Sequence, residues 1–116
     1  MQRVALIALL AGCSDVTATE ARRLVAHGAL LVDVRSPEEY RDGHLPGARN
    51  LPIDQVRAHP EKLKTLPRRK PLLVYCHTGA RAFFVARWLR AEGFDVRLLG
   101  SMNHFFGDKP SETPLF

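Results

Sequence analysis

In VYCHTGARA, residues 74–82, a thiol at Cys76 and a guanidinium at Arg81 stand five positions apart across a short loop. Thiolate sulfur is a strong nucleophile, and arginine is a permanent cation. Between them Gly79 permits a positive φ, and a helix beginning near residue 81 aims its first unpaired amides back at the sulfur. The combination describes an anion cradle with a nucleophile at its floor, where a sulfur anion meets amides and guanidinium instead of hydrocarbon. The competing reading is an inert core thiol, because cysteine is among the residues most often buried. Gly79, Arg81 and the helix start together weigh against it.

Other chemistries find less support. Cys13 and Cys76 are the only cysteines, too few for a disulfide scaffold, and no CxxC or Cys/His cluster accompanies them. The histidines, His27, His44, His59, His77 and His104, are dispersed, so neither a metal nor another cofactor is expected. Net charge is +5 and the pI about 9.8, yet only RRK at 68–70 forms a basic run, and no aromatics interleave with it. A solvated loop fits that run better than a nucleic-acid face, and no nucleic-acid partner is expected. The mild positive charge favours small anionic substrates.

The 116 residues, 46% hydrophobic, suffice for one core and one domain. The start, MQRVALIALLAGC, places Arg3 before an apolar stretch and small residues before Cys13, the layout of a secretory signal. The stretch is short of the ~20 residues a membrane-spanning helix requires. Leu10, Ala11, Gly12 and Cys13 resemble the bacterial lipoprotein processing box, which implies that residues 1–12 are removed and Cys13 is lipidated. The expected mature domain is then 13–116, on the periplasmic side of a bacterial cell envelope and attached to membrane by lipid alone. The competing location is the cytoplasm, with the start of the chain folded as an edge strand or buried helix.

The elements that must position Cys76 can be traced from the same end. TATE at 17–20 is a capping box opening a helix through Leu24 and Val25, stopped by Gly28. ALLVDV at 29–34 and PLLVY at 71–75 are apolar runs suited to strands covered on both faces. Ser36, Pro37 and Glu39 set up a second capped helix ending at Gly43, and 44–52 has room for a very short strand. Helical material is expected from about Asp54, interrupted at Pro60 and resumed over 61–66. Apolar spacing at Ala82, Val85, Ala86 and Leu89 predicts a helix over 81–92, followed by a strand over 94–99. Strands alternating with short helices make a single α/β domain, with a mostly parallel central sheet flanked by short helices. Ligands of such sheets bind beyond the carboxyl ends of the strands, where Cys76 lies.

The loop CHTGAR, together with LVDVRSPEEYRDGHLPGARNLP at 31–52, resembles the rhodanese family of sulfurtransferases over about Thr17 to Phe105. The resemblance implies transfer of sulfane sulfur from thiosulfate or a similar small anionic donor, through a persulfide on Cys76, to cyanide or a thiol acceptor, including a protein thiol. It assigns Arg81 to orienting the loop and attracting the donor, and His77, Thr78, Gly79 and Ala80 to the substrate-binding loop, with main-chain amides around 77–80 holding the persulfide. Asp33 and Arg35 are expected to brace a neighbouring loop through hydrogen bonds and an ion pair, with Glu39 as a further partner. His44 is expected to tie down a turn, while Tyr40, Phe83, Phe84 and Trp88 either rim the pocket or cover core. The chain departs from the family pattern in one stretch and at one residue: Gly100, Ser101 and Phe105 stand where two glycines and a tryptophan are common, and Ala82 replaces a frequent hydroxyl.

The alternatives are a sulfur-relay or protein-docking module without turnover and, further off, a cysteine-dependent phosphatase or arsenate reductase. The latter enzymes place five residues between cysteine and arginine. Here there are four, His77 to Ala80, a shorter ring suited to one added sulfur atom.

Overall fold

The two apolar runs read as buried strands become the two central strands of one sheet. The computed structural model describes residues 14–107. Helix α1 spans Ala18–Ala26, β1 Leu30–Asp33, α2 Pro37–Arg41, β2 Arg49–Asn50 and α3 Ile53–Ala58. A 3-10 segment, Pro60–Thr65, leads to β3 at Leu72–Cys76, α4 at Ala80–Ala91, β4 at Val96–Ser101 and a last 3-10 turn at Met102–Phe105. The strands pair in the order β2-β1-β3-β4, every pair parallel.

Alternation along the strands sorts the core into two layers. Val32, Leu72, Val74, Cys76, Val96 and Leu98 face α3, the 3-10 segment and α4. Leu31, Leu73, Tyr75 and Leu99 face α1 and the C-terminal turn. Leu72, Leu73 and Leu89 are fully buried, and each such side chain contributes roughly 1.5–3 kcal/mol of transfer free energy.

Both capping boxes form. Thr17 Oγ1 accepts the Glu20 amide at 3.0 Å while Glu20 takes the Thr17 amide at 2.8 Å, and Ser36 and Glu39 repeat the arrangement at α2. Three boundaries differ from expectation for local reasons. Phe94 donates its amide to Leu89 O in the C-terminal turn of α4, so β4 begins at Val96. Pro60 starts a tight 3-10 run in place of a second α-helix. Helix α4 starts at Ala80, one residue early, because Gly79 serves as its N-cap. Along β3 and β4 the register shifts at Val74/Tyr75, from Val74↔Leu98 to Tyr75↔Gly100.

Strand β4 lies at one end of the sheet, and its outer side is met by the segment that precedes α1. Asp15 donates its amide to Leu98 O at 2.8 Å and accepts the Leu98 amide on Oδ2 at 2.9 Å, while Arg90 pairs with the same carboxylate. The expected leader, 1–12, and Cys13 lie outside the described residues. Among the described residues, no helix is long and apolar enough to cross a membrane.

Candidate active site

Strand β3 carries Cys76 to the C-terminal edge of the sheet, on the layer shared with Val74 and α4. The chain must reverse within three residues to start α4, and Gly79 does so at φ +112°, where a side chain would be strained. A glycine N-cap offers no side-chain acceptor, and the cysteine takes its place. Cys76 Sγ accepts the Gly79 amide at 3.0 Å and the Ala82 amide, third in the helix, at 3.4 Å. The thiol is buried yet aimed at hydrogen-bond donors. His77, Thr78 and Ala80 are exposed around it, while Gly79 is buried beneath them.

One of these amides comes from the expected stretch, 77–80, and the other does not. Ala82 was missed because the third residue of any helix carries an unpaired amide, a signal that depends on the helix start to within one residue.

Arg81 is not held by the sulfur. Its guanidinium grips Glu39 of α2 in a two-pronged ion pair, Nη1 to Oε1 at 2.7 Å and Nη2 to Oε2 at 3.1 Å. The Arg81 hydrogen bond, seconded by the Ser36 amide, holds the Glu39 carboxyl at about 2, well below its usual range. Glu39 in turn holds Arg81 above its ordinary value, with smaller contributions from Cys76 and Asp33. Glu39 therefore joins the Cys76 loop to α2 through its ion pair with Arg81, and it meets the expected Asp33 and Arg35 pair through its charge on Arg35.

The reason lies in strand alternation. Asp33, aligned with Tyr75, belongs to the opposite layer from Cys76. There its carboxylate accepts Arg35 Nε at 3.0 Å and Nη2 at 2.7 Å, and Arg35 Nη2 also reaches Gly43 O at 2.6 Å. The hydrogen bond to Asp33, against desolvation, raises Arg35 above its ordinary value. Tyr75 Oη accepts the Leu45 amide at 3.0 Å, and burial pushes the phenol up. Asn50 Nδ2 bridges Asp33 O and Arg35 O at 2.9 and 3.0 Å.

His44 stacks on Tyr40 at 3.7 Å, with Nδ1 2.8 Å from Tyr40 O, and Tyr40 Oη donates to Ala48 O at 2.6 Å. These groups brace 43–48. Tyr75 and Asn50 were not singled out in the sequence, since only the register places both of them beside Asp33. Trp88 lies far along α4 from the cysteine, and Phe84 is exposed. Among the described residues, no group of three or more His, Cys, Asp or Glu side chains is placed to share a metal ion.

The loop can hold a sulfur atom with negative charge on two amides. The chain is 30% identical over 100 residues to the thiosulfate sulfurtransferase GlpE of Ectopseudomonas mendocina, covering 84% of this chain and 89% of that protein. It is 38% identical over 65 residues to the protein YqhL of Bacillus subtilis, covering 56% of this chain but 49% of that one, about half its length. The human single-domain sulfurtransferase TSTD1 superposes with a TM-score of 0.63 at 29% identity, covering 78% of this chain and 92% of that structure. Residues 17–107, from the cap of α1 past the C-terminal turn, match the family described as rhodanese-like domain, and the chain belongs to that family.

Proposed function

We propose that the protein is a sulfurtransferase that carries sulfane sulfur on Cys76. The observation that supports this best is the cysteine sulfur facing the Gly79 and Ala82 amides at the carboxyl edge of a parallel sheet. In the first half-reaction the Cys76 thiolate attacks the outer sulfur of thiosulfate, a sulfur–sulfur bond forms, and sulfite leaves with the electron pair of the broken one. The outer persulfide sulfur is then attacked by cyanide or a thiolate, so that thiocyanate or a new persulfide departs and the Cys76 thiolate returns. Cys76 and Arg81 are the catalytic pair in this reading. His77, Thr78, Gly79 and Ala80 shape the mouth, and Arg81, shared with Glu39, anchors the loop and draws the anionic donor once that pair opens. Relatives named for sulfur transfer, GlpE and TSTD1, support it.

Intact mass measured after incubation with thiosulfate tests the proposal. A gain of one sulfur atom, abolished in Cys76→Ser and reversed by cyanide with release of thiocyanate, is expected. Gain without thiocyanate release would reassign the protein to sulfur relay, and no gain would leave a docking module.

We also propose lipidation of Cys13 and residence on the periplasmic face of the envelope. With Cys13 capped, Cys76 is the last free thiol, so an external acceptor must resolve its persulfide. Labelling with a fatty-acid analogue, lost in Cys13→Ser, is the check.

A further inference from the structure

We propose that the groove between α3 and the C-terminal half of α4 docks an acidic, amphipathic segment of a partner protein. The groove, of about 410 Å³, is walled by Val56, Pro60, Leu63, Trp88 and Ala91, with Arg57 and Glu92 at its rim. It accommodates a few large apolar side chains but not a whole helix, which suits the apolar stripe of a docked segment. Trp88 is half-buried within it, and tryptophan and arginine are the residues that most often anchor interfaces.

Charge identifies the occupant. Residues 53–92 carry nine lysines and arginines against three acids, whereas 14–52 carry five against six. Of the nine, Lys62 and Lys64 lie in the 3-10 segment and Arg57, Arg81, Arg87 and Arg90 on α3 and α4, while Arg68, Arg69 and Lys70 lie in the connection to β3, where Arg68 donates to the carbonyl of Glu92 at the groove. Arg57 is shared with Asp54 at 3.6 Å, Arg81 with Glu39 and Arg90 with Asp15. Among the described residues, Lys62, Lys64, Arg68, Arg69, Lys70 and Arg87 make no ion pair, and Lys62 and Lys64 flank Leu63 of the groove wall. A second copy of this face would bring like charges together, so self-association is disfavoured.

The groove and the loop lie at the two ends of α4. Arg81, Phe84, Trp88 and Ala91 recur at helical spacing on α4, and Phe84 is 44% exposed. A partner lying along this row extends roughly 16 Å, at 1.5 Å per residue, from the groove to Ala80 at the mouth of the Cys76 loop. Docking itself does not require persulfide chemistry.

Trp88 is the sole tryptophan, so its emission reports the groove directly. The probe is a synthetic helical peptide of about 18 residues, with leucines at i, i+3, i+4 and i+7 and glutamates elsewhere. Its control is a scrambled peptide of identical composition lacking the stripe. The stripe peptide is expected to shift Trp88 emission saturably, about tenfold more tightly than the scramble, and Cys76→Ser is expected to bind it equally well. The exposed double charge reversal Arg57→Glu/Lys62→Glu, its fold checked by circular dichroism, is expected to weaken binding about tenfold. Equal binding of the two peptides, or indifference to the charge reversal, overturns the proposal. So does a Trp88 shift produced by phosphatidylglycerol vesicles or by raised protein concentration but not by the stripe peptide.

Discussion

A cysteine sulfur that caps a helix does two jobs at once. Because Gly79 brings no acceptor, Cys76 alone serves the Gly79 and Ala82 amides, and the group that stabilises the start of α4 is the group offered for chemistry. Cys76→Ser keeps an acceptor and is expected to fold near normally without loading sulfur. Cys76→Ala strands two amides and is expected to be less stable than the serine variant by about 1–2 kcal/mol in urea unfolding. Glu39 permits a second test. Its carboxyl falls from 4.5 to about 2 on folding, so its contribution is complete above 4.5 and disappears as pH drops through 2. Glu39→Gln should therefore lower the urea midpoint at pH 6 and converge with the parent near pH 2. The gap will be small, because both partners are more than a third exposed or close to it.

Among the elements, β1 carries the heaviest polar load. Asp33 and Arg35 are buried together, and their network ties 43–48 to the sheet. Asp33→Asn leaves the buried guanidinium without its counter-charge and is expected to cost about 3–5 kcal/mol, with faster amide exchange across 43–48. Much of this architecture is legible in the residues because it is local. Thr17 with Glu20, and Ser36 with Pro37 and Glu39, announce their helices within four positions, and the apolar runs announce two central strands. The choice of Arg81 as the partner of Glu39 is not local. The two are 42 residues apart, and only the register that turns Asp33 away from Cys76 decides which arginine Glu39 meets. The start of β4 was likewise hidden, because Phe94 resembles a strand residue until the helix end claims its amide.

For the molecule as a whole, two apolar layers on a four-stranded sheet leave little redundancy. Leu89, fully buried against the layer that holds Cys76, is expected to cost about 2–5 kcal/mol as Leu89→Ala, read from thermal unfolding. The pairing of Asp15 with Leu98 has its own outcome at this scale. An end strand with free amides and carbonyls is a template on which further chains can add. Here Asp15 occupies the amide and the carbonyl of Leu98 in the middle of that strand, and the arginine behind it fixes the carboxylate in place. The residue thus works as a stopper against sheet growth. Asp15→Ala should fold and yet seed fibrillar aggregates, visible by light scattering on prolonged incubation, well before the parent does.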